Sequence, residues 1–526
     1  MNKITFLAAL LFATQPTQAQ FFDPTSYKGA FAPAPTAMWT DGWCNWNPDS
    51  TNYPATTVTV SGSITANTTW TSNQVYKLSG VVYVDSLVTL TIQPGTIIRG
   101  DNSVANSSLM IKRGGKIMAQ GTASNPIVFT SNQPIGSRTL GDWGGVILLG
   151  KARMNQGFGF IEGLAAVNEH MYGGNDDLDN SGILSHVRIE YGGYVFAQNK
   201  EINGLTMGAV GSGTQIDHIQ VSYVNDDAFE WYGGTVNAKY LVSYRNLDDD
   251  FDTDFGYSGK VQFGLSVRDP QIADPSYSLP SGASTSEGFE SDNDANGSYL
   301  FPRTSATFSN FTMIGPFRGN NASTVHPAFR RGARIRRNSA LKIVNSVVSD
   351  WATGFMLDGV ACENNALANS PDTSLLFQNN IVANYRTRAG EVASGRTFDI
   401  LGCIGQRNDT LKANGNLMVR PYDFTNPDYR PALNSPMGTP SLEATAIQIY
   451  PNPTQGQVFI QFEANQGNGA TIQVIDMMGK VQVLEKIALN GNSTESFDWN
   501  HLPAGMYLVQ ISTGRSIRMA KLQISE

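Results

Sequence analysis

Charge is scarce in this chain. Asp, Glu, Lys and Arg make up 15% of its 526 residues, against the ~25% usual in soluble proteins. A coiled coil, which depends on charge and tolerates few glycines, is excluded. The net charge of −8 leaves no basic excess to displace phosphate counterions, so a general nucleic-acid binder is excluded too. Cysteine is limited to Cys44, Cys362 and Cys403, without the C-x-x-C spacing of a zinc knuckle or redox pair. The chain has no G-x-S-x-G elbow, no H-E-x-x-H pair and no P-loop. No apolar run reaches the ~20 residues of a membrane span.

Apolar residues are sufficient, at 41%, and glycine is abundant, at 52 residues. A low-charge chain with many turn residues suits extended β structure, and its length allows about three units at ~150 residues each. The first segment reads as a secretory signal peptide over residues 1–19: Lys3, an apolar run from Ile4 to Ala13, and a small-residue exit at Thr17-Gln18-Ala19. No cysteine follows that exit, so the mature chain is expected from Gln20 without a lipid anchor. Outside the cytosol thiols oxidise. Cys362 and Cys403 are the expected pair, closing a loop worth roughly 4 kcal/mol in the chain-entropy model; three unpaired thiols are the alternative.

From about residue 81 to 431 no helical periodicity of useful length appears. Short β-rich runs recur instead, including Val146–Leu149 and Val187–Tyr191. Val221-Ser222-Tyr223 and Val242-Ser243-Tyr244 form a direct repeat. They stand 21 residues apart, and repeats of 20–50 residues signal a solenoid whose units bury their core only against neighbours. Phe229, Phe251, Phe289, Phe329 and Phe355 each begin a comparable strand, the first two 22 residues apart. In a parallel β-helix equivalent positions lie ~4.8 Å apart, so these rings are expected to form an internal stack. Asn310, Asn345 and Asn379 suit a turn ladder. His186 and His218 hold the same place, which favours turn hydrogen bonding over metal ligation. Trp39, Trp43, Trp46 and Trp70, within a cap segment at 20–80, are expected to cover the first rung; sugar stacking is the alternative.

After Pro431 a Pro/Ser/Thr/Gly-rich linker (432–445) leads to seven short strand-like runs in residues 446–526, the pattern of a small β-sandwich. Within them stand Tyr450-Pro451-Asn452-Pro453, Ile475-Asp476-Met477-Met478-Gly479-Lys480, Leu502-Pro503-Ala504-Gly505-Met506-Tyr507 and a closing Lys521-Leu522. In this order they resemble the C-terminal sorting domain of the type IX secretion system. The resemblance implies export by the type IX secretion machinery, removal of the domain by its sortase, and attachment to surface lipopolysaccharide. The segment 121–150, with Gly141-Asp142-Trp143-Gly144-Gly145, is similar to recurrent rungs of bacterial surface β-helix proteins. The fold expected is therefore all-β: a right-handed parallel β-helix followed by a small C-terminal β-sandwich.

The acidic residues gather around three phenylalanines. Asp226, Asp227 and Glu230 flank Phe229; Asp248, Asp249, Asp250, Asp252 and Asp254 flank Phe251; Glu287, Glu290, Asp292 and Asp294 flank Phe289. Stacking puts Glu230, Asp252 and Glu290 on one line, with Arg330 expected next. Carboxylates ~5 Å apart repel by about 3 kcal/mol at an effective dielectric of 20, so the line needs cations, protons or arginine. Hard oxygen ligands suit calcium. Asp292-Asn293-Asp294-Ala295-Asn296-Gly297 fits the first half of a calcium loop, and Asp177-Leu178-Asp179-Asn180-Ser181-Gly182 is a looser copy. Both lack the glutamate at position 12, so an ion there would borrow ligands from other rungs. Asp226-Asp227, Asp252-Thr253-Asp254 and Arg334-Ile335-Arg336 are similar to parts of the polygalacturonase set, in a different order and without its Gly-His-Gly element. Two functions follow: a surface β-helix that binds or scaffolds glycans with structural calcium, or a calcium-dependent lyase or glycoside hydrolase acting on acidic polysaccharide.

Overall fold

Residues that tolerate a positive φ set the corners of the body. His186, His218, Tyr240, Phe263, Asn310, Asn345 and Asn379 all lie in the left-handed region, with φ between +50° and +64°. Five of them fall inside strands Gly182–Glu190, Gln215–Ser222, Asn237–Tyr244, Lys260–Val267 and Thr307–Ile314. A single left-handed residue bends the chain without ending its hydrogen bonding to the neighbouring turn, and Asn and His accept that conformation more readily than most residues. Each such strand thus has two arms, which build sheet A before the bend and sheet B after it. Sheet C is built from Val146–Leu149, Leu205–Gly208, Phe229–Tyr232, Phe251–Asp254, Phe289–Ser291, Arg331–Arg336, Thr353–Asp358 and Arg388–Val392.

The computed structural model describes residues 21–437 and 449–525, apart from 163, 198–199, 276–284, 319–321, 369–373, 406–407, 413–414, 463–468, 477–480, 490–492 and 514–516. The expected signal peptide, most of the 432–445 linker and the Met477-Met478-Gly479-Lys480 motif lie outside the described residues. Among the described residues the rung strands pair only in parallel and join into one 26-stranded sheet, a right-handed parallel β-helix, from which three small antiparallel hairpin ladders stand apart. It begins earlier than residue 81: strand Val58–Ile64 already pairs in parallel with Val75–Val84. Within the body an eight-residue helix, Val360–Leu367, follows sheet C.

Register explains which repeats were real. Val221 pairs with Ser243 and Ser222 with Tyr244, so the rung is 22 residues and the two Val-Ser-Tyr triplets stand one residue out of step. Tyr223 occupies a left-handed corner at φ +55°, whereas Tyr244 lies in a strand. The phenylalanine spacing is the true one. Phe229, Phe251 and Phe289 pair in register, with ring centroids 5.5 and 5.2 Å apart, and all three are fully buried. Gly264 leaves the space that the Phe311 ring fills, since a Cβ there would come within 2.0 Å of it. The stack ends at Phe289. Glu290 pairs with Arg334, which brings Ala333 to the next inward position, and Phe355 follows opposite Ala333. Phe329 precedes the strand and packs edge-on against Trp351. Ala-Phe-Arg resembles Ala-Phe-Glu in sequence but falls four residues short of its register.

The tryptophans near the N-terminus do not form one cap. Trp70 does belong to the first rung, buried and stacked on Tyr76 at 4.8 Å. Trp39, Trp43 and Trp46 instead lie along the outside of sheet B, whose outward face is apolar: Val242, Tyr244, Leu265, Val267, Ile314, Val347 and Ile381. Apolar surface on a solenoid flank must be covered, and residues 21–53 form a lengthwise strap over it with Tyr429 and Met437. Side chains on the outside of the solenoid imitate a partner strand for the strap. Gln220 exchanges hydrogen bonds with the backbone of Asn45, Gln262 does so with Asp23, and Thr312 accepts from the Ala30 amide. Cys362 and Cys403 are not joined: none of the three cysteines is in a disulfide, Cys362 being buried within the helix Val360–Leu367 and Cys44 lying in the strap.

The described residues of 449–525 form two antiparallel sheets, of three and four strands, around a separate apolar core that includes Val458, Ile472, Trp499 and Val509. The sequence motifs have visible tasks here. Asn452 clamps the last strand, accepting from the Gln523 amide at 2.9 Å and donating to the Lys521 carbonyl at 2.7 Å. Tyr507 OH closes its own turn on the Pro503 carbonyl.

Candidate functional site

Side chains alternate across a strand, so the outward positions of sheet C form two columns along the solenoid axis. One runs Thr206, Glu230, Asp252, Glu290, Arg334. The other runs Tyr232, Asp254 and then, beyond the third rung, Arg336 opposite Asp358. A third line of carboxylates stands at the turns before these strands. Asp227 accepts the Asp249 amide at 2.8 Å, Asp249 accepts the Glu287 amide at 2.5 Å, and Glu287 accepts the Arg331 amide at 2.7 Å. Each acid receives a backbone N–H from the following turn, which fastens the rungs together.

At the far end arginine neutralises these lines. Arg331 meets Glu287 at 2.8 Å, Arg334 meets Glu290 at 3.4 Å, and Arg336 pairs with Glu290 and, at 2.8 Å, with Asp292. The residue aligned with Glu290 is thus Arg334 rather than Arg330, for the same reason that Phe329 leaves the stack. Glu287, Glu290 and Asp292 each precede their arginine by 44 residues in sequence, a spacing that could have been read once the rung was known.

Several expected calcium ligands have other work. Both Asp292 oxygens are held by arginine, with Arg337 on the second at 2.6 Å. Asp294 closes its own turn, accepting from the Asn296 and Ser298 amides, so Asp292, Asp294 and Asn296 do not assemble as a calcium loop. In the looser copy Asp177 pairs with Arg153 at 2.8 Å. Asp250 turns into the interior, where it meets Arg268 at 3.0 Å and accepts from Ser243 and Ser266.

The rungs before the arginines are different. Asp227, Glu230 and Asp252 each bring a carboxylate oxygen within 4.8 Å of the other two, and Asp226, Asp227 and Asp248 do the same. Oδ1 of Asp252 is buried with no hydrogen-bond partner. Burial, reinforced by Glu230, Glu290 and Asp254, lifts the Asp252 pKa well above its ordinary value. Burial, then Asp226 and Asp249, does the same to Asp227. Glu230 is pushed up to about 8 by burial, with Glu162 and Asp254 adding and hydrogen bonds from Tyr232 and Asn203 opposing. Asp254 also reaches about 8, through burial and Asp292. Glu290 rises only to about 7, because Arg336 and Arg334 offset its burial. An orphaned buried carboxylate oxygen among like charges fits a hard cation. Asn203, which donates to Glu230, carried no sequence signal; it stands two residues before strand Leu205–Gly208, as Asp227 stands before Phe229 on the next rung.

Beside this cluster Phe158, Phe160, Tyr172, Tyr232 and Phe255 line a cavity of about 540 Å³ with Glu162 at its wall. Tyr232 and Asp254 are outward residues of sheet C, so the cavity opens next to the carboxylate columns. His186, Asp217 and His218 form a separate group on the other flank. Local contacts engage this group: His218 Nδ1 meets Asp217 at 2.8 Å, Ser185 Oγ donates to Asp217 at 2.6 Å, and the two rings stack at 4.2 Å. Asn379 and Asn345 continue this corner as a ladder, Nδ2 to Oδ1 at 2.6 Å, while Asn310 turns to the strap, donating to the Tyr27 and Gly29 carbonyls.

Comparison with known proteins bears on both parts of the chain. The family described as a pectate-lyase like β-helix domain matches residues 62–415, and the secretion system C-terminal sorting domain matches residues 448–525. Among solved structures, the full-length tailspike protein 2 of Escherichia coli O157:H7 bacteriophage CAB120 is 10% identical, with a TM-score of 0.22 over 85% of this chain and 64% of that one. The Dettilon tailspike protein is 10% identical, with a TM-score of 0.22 over 86% of this chain and 74% of that one. The chain thus spans just under two thirds of the length of the CAB120 tailspike. No curated protein matches it.

Proposed function

The chain belongs to the pectate-lyase-like β-helix family, and from that premise we propose that it is a surface protein that binds acidic polysaccharide through calcium on the outward face of sheet C. Its sorting domain directs export by the type IX system to the cell surface or extracellular space; removal of that domain by the sortase and attachment to lipopolysaccharide are part of the proposal. The observation that carries the binding reading is the group Asp227, Glu230 and Asp252, with its orphaned Asp252 oxygen. These residues would hold the ion, and the ion would supply positive charge where the columns lack arginine. Tyr232, Phe255 and Phe158 then offer flat apolar surface to a sugar ring beside it.

A second reading rests on Glu230 and Asp254. Carboxyls with pKa values of about 8 keep a proton at neutral pH and can donate it, as a lyase or glycoside hydrolase requires. One experiment separates the two. The mature protein is incubated with polygalacturonate and other acidic polysaccharides, with calcium or with EDTA. Binding should be retained only with calcium and be lost in Asp252→Asn, with the polymer intact. Unsaturated or reducing ends would establish the enzyme instead, and neither retention nor product ends on any polymer would overturn both.

A further inference from the structure

We propose a second binding site, for an oxyanion, in the cavity of about 540 Å³ that Arg99 and Arg138 line between the strap and the turn 131–138. The inference does not rest on the calcium groove. Each arginine is only 7% exposed, yet neither makes an ion pair with a carboxylate among the described residues. A buried guanidinium without a counterion is costly, because water no longer solvates it. Here two stand together: Nε of Arg138 and Nη2 of Arg99 both donate to the Gln133 carbonyl, at 3.3 and 2.9 Å. Burial and the adjacent Arg138 lower the Arg99 pKa.

Their hydrogen bonds account for part of the donor set. Arg99 also bonds the Ser131 and Pro54 carbonyls, and Arg138 bonds the Pro48 carbonyl at 2.6 Å while its guanidinium lies 4.9 Å over the Tyr53 ring. A guanidinium carries five N–H groups, so Arg99 keeps two and Arg138 three beyond these bonds. Asn52 and Asn132 also line the cavity. Two forks of rigid donors, doubly charged and uncompensated, match a group with two or more anionic oxygens. Carboxylate, sulfate and phosphate share that chemistry, whether carried by a sugar or free.

The mature protein, in EDTA to silence the acidic columns, is titrated with galacturonate, inorganic sulfate and inorganic phosphate at constant ionic strength, by calorimetry. Saturable binding is expected for at least one. Galacturonate alone would identify a sugar carboxylate, and sulfate or phosphate alone a tetrahedral ester. Arg138→Gln should abolish the signal but also frees the Pro48 carbonyl of the strap. Asn132→Asp serves as the second variant: it places a carboxylate at the cavity without touching the strap bonds, and should weaken binding at least about tenfold with the fold retained. If no anion binds the wild type, or if Asn132→Asp binds as the wild type does, the proposal is overturned and the two arginines only fasten the strap.

Discussion

Glu290 and Arg334 occupy the same outward position on successive turns of sheet C, their Oε1 and Nη1 atoms 3.4 Å apart. That pair divides the columns. Beyond it charge is neutralised within the protein; before it, from Asp226 to Asp254, carboxylates are stacked on carboxylates.

Calcium should therefore raise the melting temperature and EDTA lower it, since an ion bound only to the folded state stabilises it in proportion to the logarithm of its occupancy. Magnesium should restore less, because it demands a stricter octahedron. Asp252→Asn should remove most of the response. Asp292→Asn should instead destabilise with the response intact, because its carboxylate belongs to Arg336 and Arg337. Scanning calorimetry with and without calcium checks both variants. Identical melting of the wild type in EDTA and millimolar calcium would return the cluster to protonated or solvated acids.

Without calcium, stability should fall as pH rises. Glu230 and Asp254 are raised in the folded state to about 8 from ordinary values of 4.5 and 3.8. The folded protein thus binds more protons than the unfolded chain between about pH 4 and pH 8, and stability declines across that window. Added calcium should flatten the slope. Melting curves from pH 5 to pH 9 in EDTA test the sign.

Phe251→Ala should cost ~3–5 kcal/mol, the usual range for emptying a buried phenylalanine site. Its ring lies between Phe229 and Phe289 with no exposure. Phe329→Ala lies outside that stack, so its loss should leave the Phe229–Phe251–Phe289 contacts untouched. Chemical denaturation of the Phe251 variant measures the cost; an unchanged midpoint would contradict the inward register.

Replacing Gln220 and Gln262 with alanine should loosen the strap and leave the solenoid folded. Each glutamine supplies both a donor and an acceptor to strap backbone, and each such bond contributes about 1 kcal/mol. Limited proteolysis should then cut within residues 21–53 first, while the melting temperature of the body changes little.

Deletion of residues 446–526 should leave a folded β-helix in the periplasm, because the two units have separate cores. Cell fractionation reads the outcome, and surface display of the truncated chain would contradict the assignment of the address to this domain.

The recurrence of β-branched and aromatic runs, the 22-residue interval from Phe229 to Phe251, and the ordered motifs from Tyr450 to Leu522 were enough to specify a solenoid with a sorting domain. Those signals are local: they depend on which residues follow which. Register was not local. Whether Phe329 or Ala333 follows Phe289 depends on where a long loop rejoins the sheet, and sequence similarity misjudged it by four residues, carrying Arg330 into the place of Arg334. The strap was equally hidden, because Trp39, Trp43 and Trp46 read as buried aromatics whether they close an end or cover a flank; only the apolar outer face of sheet B decides. The acidic cluster was legible as composition, but its division was not. Asp250 pairs inward with Arg268, Asp292 with arginines 44 and 45 residues away, and Asp252 keeps an oxygen without a partner, because a carboxylate's role is set by what the next turn of the helix places ~4.8 Å from it.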